Sequence, residues 1–329
     1  MIRRILRRIR DEKPKDLVLY VKSCLFRHPV LDRFWLLINY YLHPSRKVVR
    51  KVQGSRMVLD LSDRGISRDL FLYGVREPEC TRIFKDELSR GMRVVDIGSN
   101  IGYYVLIAAQ SIGNSGRIYA IEPEPRNFEM LKKNVEMNSY GTHITFYNMA
   151  ISNRVGKCQF ITTDTFNTHR LATSKSNEDC MEVDTTTLDE LFGDEIDFVR
   201  MDTEGAEWLI FMGMKHILDS HRPLKLFIEI HPRLIGEYGG NVEEVLNLLS
   251  NAGFDLKYLV LFESYRFVIP YIKGKGEVEK SIKFNKPLGS LLLNQEIRNV
   301  LVPKSNFIHR AGYRLFLEKN IKDANNPRR

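Results

Sequence analysis

Apolar positions in this chain follow two rhythms that take turns. Val94, Val95 and Ile97 form a short continuous apolar run, as in a strand buried on both faces, while Tyr103 to Gln110 carries helical spacing. Ile118 to Ile121 reads as the next strand, and helical periodicity resumes over 125–138. A strand over 143–149, a short helix opening at Thr187, and strands at Ile196–Met201 and Leu226–Ile230 follow. Val242 to Ala252 is an amphipathic helix closed by Gly253, and Phe254 to Phe262 a sixth strand. Strands alternating with helices predict an α/β fold around a mostly parallel sheet.

Outside this core the pattern changes. Val48 to Leu61 alternates as two short strands around Gly54, and Ser67 to Leu88 is helical with a break near Gly74 and Pro78. Residues 155–187 are polar and turn-rich, with β-prone ends at Gln159–Thr162 and Met181–Val183. Residues 1–10, 16–27 and 30–42 are helical candidates, the last two stopped by His-Pro.

The chemistry gathers at the first strand–helix junction, Asp96-Ile-Gly98-Ser99-Asn100-Ile-Gly102-Tyr103. Glycine takes positive φ and lets a ligand approach the backbone, and the helix that follows offers free N–H groups and a positive dipole end. The middle position of a dinucleotide fingerprint is Asn100 here, not glycine, and no Gly-Lys-Ser/Thr follows. An acid two residues before the first glycine suits a ligand with both an ammonium and a carboxylate, such as S-adenosylmethionine. Glu122, about twenty residues on at the end of the next strand, stands where an acid takes ribose hydroxyls.

Asp96-Ile-Gly98-Ser-Asn-Ile-Gly102, Glu122-Pro123 and Val199-Arg-Met-Asp202-Thr-Glu204-Gly205-Ala-Glu207 together resemble the FkbM family of S-adenosylmethionine-dependent methyltransferases, over roughly residues 53–260. The resemblance implies a Rossmann-like class I fold with a seven-stranded, mostly parallel sheet, helices on both faces and a last antiparallel strand, Gly312–Lys319. Residues 53–320 would form this domain, behind an N-terminal helical extension at 1–52 and before a tail at 321–329. The unmatched stretch 263–310 is expected as a substrate cap.

For the cofactor the resemblance implies Asp96, Gly98, Ser99, Asn100, Gly102, Tyr103 and Glu122, with Asn148 and Ala150 at the adenine. Asp202, Glu204, Glu229 and His231 end two strands, and ligands of open α/β sheets bind beyond such ends, so these four are expected at the reaction centre. A hydroxyl acceptor needs a base or a metal; His231 suits the first role, and Asp202, Glu204 and Glu229 suit Mg²⁺. Glu77 is expected on a solvated helix face or, as the alternative, against the cofactor or substrate; Glu207 is expected as a first-turn acid favoured by the helix dipole or as a further member of the reaction centre.

The acceptor expected from the resemblance is a hydroxyl of a sugar, glycolipid or secondary metabolite. Composition adds rival partners. The 329 residues carry a net charge of +9, but residues 1–51 hold fourteen Lys/Arg against four Asp/Glu, so the remainder is nearly neutral. Met1 to Arg10 is a basic amphipathic pattern that suits an anionic membrane surface, packing on the protein, or RNA phosphates. An RNA methyltransferase and a membrane-tethered, non-catalytic cofactor-binding module are therefore the alternatives. Four scattered cysteines, no Cys-x-x-Cys and no Asn-x-Ser/Thr sequon fit a cytoplasmic protein, peripheral on the membrane if the basic segment binds there.

Overall fold

The computed structural model describes residues 46–63, 65–140, 143–163, 169–172, 180–193, 195–269, 272–302 and 312–319, with the side chains of 262–278, 280 and 296 excepted. The expected helices at 1–42 and the tail lie outside these residues. An antiparallel hairpin, β1 (Lys47–Val52) with β2 (Ser55–Asp60), opens the described chain and crosses the expected boundary at residue 52. The helices Ile66–Tyr73 and Pro78–Glu87 follow, separated at Gly74 as the sequence predicts.

The main sheet contains β3 (Arg93–Ile97), β4 (Arg117–Ile121), β5 (Ile144–Tyr147), β10 (Phe198–Met201), β11 (Leu224–Ile230), β12 (Asp255–Ile269), β13 (Ile272–Pro287) and β14 (Tyr313–Lys319). Its order is β13-β12-β14-β11-β10-β3-β4-β5, with β5, β4, β3, β10 and β11 parallel and β14 antiparallel between β11 and β12. Eight strands stand where seven are expected. The eighth, β13, comes from the stretch expected to form a cap: β12 runs on past Phe262 and pairs with β13 along the sheet edge. The helix Leu288–Leu292 then puts Leu288 and Leu291 into the core.

Strand alternation explains the two-sided burial. Val94, Phe198, Phe227 and Phe316 point to one core, with the helices Pro78–Glu87, Tyr103–Ile112 and Pro125–Glu136. Their neighbours Val95, Val199, Leu226 and Leu315 point to the other, with the helices Glu207–Met212 and Val242–Asn251. On the first face Phe84 meets Tyr104 and Phe198 edge-on at 5.1 and 5.2 Å.

A second, four-stranded sheet occupies the turn-rich region. It consists of β6 (Ala150–Ile151), β7 (Gly156–Ile161), β8 (Arg170–Leu171) and β9 (Cys180–Thr186), in the order β6-β9-β7-β8. β6 follows β5 after two residues, so this sheet begins at the carboxyl end of the main one.

Candidate active site

A cleft of about 820 Å³, part of it open to solvent, lies across the carboxyl ends of β3, β4 and β10. That is the crevice where a parallel sheet reverses its strand order, with β4 on one side of β3 and β10 on the other. The volume suits a ligand the size of a nucleoside with a side arm.

The glycine turn forms one wall through its backbone. Gly98 has φ +77°, and a Cβ there would stand 2.1 Å from the Asp202 carbonyl oxygen, so only glycine fits between β3 and β10. Asn100, at φ +50°, donates its N–H to Glu122 Oε2 at 2.8 Å, and Glu124 N–H donates to Glu122 Oε1 at 3.0 Å. Burial outweighs these two bonds and pushes the Glu122 carboxyl up to about 7. Ser99, Asn100, Tyr103, Glu122 and Ala150 line the cleft as expected.

Three other expected cofactor residues stand behind its wall. Asp96 is buried under the turn with Oδ1 accepting from Arg200 at 3.1 Å, because β10 pairs in parallel with β3 and sets Arg200 opposite it. Gly102, at φ +91°, caps the helix Tyr103–Ile112. Asn148 donates to the carbonyls of Glu122 and Pro123 at 2.8 and 3.1 Å, so it braces the acid's loop.

At the opposite end of the cleft the walls are side chains. Arg200 bridges Asp96, the Gly98 carbonyl at 2.9 Å and Asp202 at 2.7 Å, and lies over the Tyr104 ring at 4.5 Å. An arginine inside an otherwise apolar strand was the sequence signal for this partner, but its targets are distant in the chain. Asp202 and Glu204 line the cleft; Glu229 and His231 lie immediately behind them. Glu204 holds φ +51°, costly for a side chain with a Cβ. Gly205 at φ +104° completes that turn, where a Cβ would meet Leu234 at 2.3 Å.

His231 is clamped by carboxylates. Nδ1 is 2.9 Å from Glu207, and Nε2 is 3.4 Å from both Glu204 and Glu229. Burial opposes its charge, yet Glu229 and Glu207 overcome that and raise its pKa well above 6.5. His231 is thus an imidazolium at neutral pH, which reverses its expected role as a base. Glu204 is pushed the other way: burial, only partly offset by His231, lifts it to about 8. Burial works against Glu229 too, but Arg314 and His231 hold it at about 2.

One acid differs from its sequence reading, and a second, in the first turn of its helix as expected, takes a further role. Glu77 is not solvated: it accepts from Arg314 at 2.6 Å and from Tyr104 Oη at 3.1 Å, while Arg314 also reaches Glu229 at 2.6 Å. Glu207 is fully buried and accepts from Gly205 N–H at 3.1 Å, so it fixes the loop and the imidazolium together. No described residue of 263–302 lines the cleft, so over those residues the expected cap is sheet edge and core.

Glycine turn, acid-ended second strand and the antiparallel strand inserted beside β11 define a Rossmann-like fold of the class I methyltransferase type. Residues 96–256 match the family model described as the methyltransferase FkbM domain. A protein-L-isoaspartate O-methyltransferase of Methanothrix thermoacetophila is 35% identical over 54 residues, 16% of this chain and 26% of that protein. A second, from Arabidopsis thaliana, is 35% identical over 57 residues, 17% and 18% of the two chains. The chain therefore spans about a quarter or less of the length of these curated relatives. Among solved structures, a putative transferase of Pyrococcus horikoshii matches over 87% of this chain and 100% of its own, at 15% identity and a TM-score of 0.43. An S-adenosylmethionine-dependent O-methyltransferase of Thermotoga maritima matches over 84% and 78%, at 11% identity and a TM-score of 0.40.

Proposed function

We propose that this protein transfers a methyl group from S-adenosylmethionine to a hydroxyl of a sugar, glycolipid or secondary metabolite. The observation that carries this reading is Glu204, a carboxyl raised to about 8 and set in a left-handed turn at the edge of the cleft, with a clamped imidazolium behind it. The cleft fits the cofactor. Glu122 keeps lone pairs for ribose hydroxyls beyond its two backbone bonds. The N-terminus of the ten-residue helix Tyr103–Ile112 suits the methionine carboxylate. Carboxylates outnumber cations around the cleft, with Asp96, Asp202, Glu204, Glu207, Glu229 and Glu77 against Arg200, Arg314, Arg76 and His231, which favours a cationic ligand.

When bound, this cofactor supplies an electrophilic methyl group on a sulfonium, open to in-line displacement. Glu204 takes the acceptor's hydroxyl proton onto its carboxylate, since its pKa lies near working pH. Asp202, fixed by Arg200, orients that hydroxyl, and alignment supplies much of the remaining rate. His231, held by Glu207, keeps Glu204 in place and stabilises its ionised form.

Mg²⁺ fits these residues poorly. Asp202, Glu229 and His231 do offer ligand atoms within 4.8 Å of one another. Asp202 and Glu229, however, are already neutralised by buried arginines, and a cation would also have to displace the imidazolium proton. The acids therefore act by hydrogen bonding and charge.

Mass spectrometry of lipid and polysaccharide extracts from cells with and without the gene should show a species heavier by one methyl group, lost on deletion and lost with Glu204→Gln. Methylation appearing in RNA instead would move the acceptor to nucleic acid, and calorimetry showing no binding of S-adenosylhomocysteine would overturn the reading altogether. The basic segment at 1–45 supports delivery to an anionic membrane face; among the described residues no helix is long and apolar enough to cross a bilayer.

A further inference from the structure

His169 is a polar group of the cleft for which neither the family motifs nor the proposed reaction accounts. It lines the cleft from the residue before β8, and is 9% exposed. Its Nδ1 is 3.0 Å from the backbone nitrogen of Thr163. A backbone N–H can only donate, so Nδ1 accepts, and in the neutral ring the proton sits on Nε2. Burial keeps the ring neutral by holding its pKa below 6.5. Nε2 is buried and has no hydrogen-bond partner among the described residues. An N–H donor left this way destabilises the fold unless something completes it.

The surroundings indicate what that something is. The small sheet and the residues leading into it give the cleft an apolar lining: Met149, Ala150, Ile151, Phe160 and Leu171 line it, the Phe160 ring centroid lies 6.3 Å from the imidazole, and Glu124, Arg126 and Asp63 act on the ring from outside that lining. The charged groups Asp202, Glu204 and Arg200 line the cleft from the end of β10. A ligand matched to both must be flat, apolar-faced and rich in acceptors at one end, and charged at the other. A polyhydroxylated acceptor has no apolar face of that kind, and a purine has one.

We propose that His169 is a purine-reading residue: its Nε2–H donates to an unprotonated ring nitrogen of the cofactor's adenine, and the small sheet β6-β9-β7-β8 is the wall that presents it. This rests on the proposed cofactor and deepens it, because the base is then read by side chains outside the strand-end loops. The device comes from Gly156–Leu171, a stretch whose sequence shows only turns and short β-prone runs.

Calorimetry on the full-length protein tests this with S-adenosylhomocysteine and its analogues in which N1, N3 or N7 of the purine is replaced by carbon. Wild type should lose about tenfold in affinity with one analogue and little with the other two. His169→Phe should bind S-adenosylhomocysteine about tenfold more weakly and show no further loss with that analogue. His169→Gln, which keeps a donor near the same place, should recover most of the affinity. A wild type indifferent to all three replacements overturns the proposal, as does a loss of the same size in wild type and His169→Phe. In ¹⁵N-histidine spectra of wild type, the His169 Nε2–H should become protected from exchange when S-adenosylhomocysteine is added; an unchanged signal in a protein that binds it overturns the proposal without recourse to a variant. If wild type binds no S-adenosylhomocysteine, the cofactor reading falls first and this one with it.

Discussion

The two ends of the cleft are built by different means. At the glycine turn, neighbours in sequence do the work: residues 98–103 present backbone groups, and Glu122 is held by two N–H bonds. At the opposite end, Glu77, Glu204, Glu207, Glu229, His231 and Arg314 arrive from four separate segments and touch through side chains. A backbone site tolerates most changes except those that alter the backbone itself. A buried ionic network tolerates few, because removing one partner leaves another charge uncompensated. The first end therefore suits binding through backbone groups, whereas the second sets the charge state of its own members.

The largest effect should come from Gly98→Val. Its side chain would collide with the Asp202 carbonyl and force β3 and β10 apart at the cleft, so calorimetry should find no measurable S-adenosylhomocysteine binding. Binding within tenfold of wild type would show that the turn is not the cofactor wall. Next, Glu204→Gln should reduce methylated product in complemented cells by about 10²–10⁴-fold, while affinity for S-adenosylhomocysteine stays within a few-fold. Equal product from both genes would move the proton elsewhere, with His231→Ala the next variant to compare.

Arg314→Met sharpens the contrast through stability. It strands Glu77 and Glu229, both within 2.6 Å of the guanidinium, and should lower the unfolding free energy in urea by about 3–5 kcal/mol. A change below about 1 kcal/mol would show that the network is solvated and easily rearranged.

A pH series separates the two ends further. Glu122 has a folded pKa of about 7, above its ordinary 4.5, so the native state keeps a proton that the unfolded chain has lost. Stability from this group is full below pH 4.5 and declines as pH rises towards 7. Urea midpoints of the ligand-free protein should fall across that window, and Glu122→Gln should remove part of the slope. Glu204, at about 8, extends the same decline to higher pH. The smallest effect belongs to Asn148→Ala, which loses two hydrogen bonds to carbonyls and should cost about 1–2 kcal/mol, with a few-fold weaker cofactor affinity.

What the sequence by itself determined is local. The strand–glycine–helix junction, the acid at Glu122 and the alternation of apolar runs are set by backbone conformation and side-chain period over a few residues, and they suffice for the fold class and one wall of the cleft. Asp202, Glu204, Glu229 and His231 were legible as a group because parallel strands must end on the same side of a sheet. Their roles were not. Whether His231 is a base or an imidazolium depends on Glu207 and Glu229 lying within 3.4 Å of it, and those distances depend on strand register. Asp96 reads as a ligand contact until β3–β10 pairing sets Arg200 opposite it. Glu77 reads as a surface acid until β14, inserted beside β11, brings up Arg314. Residues 263–287 read as an insertion because nothing in their spacing shows which edge they will pair with, and β12 supplies it. Tertiary structure decided all of these for one physical reason: the charge state and partner of a buried group depend on what the fold brings within a few ångströms, and sequence separation carries no record of that distance.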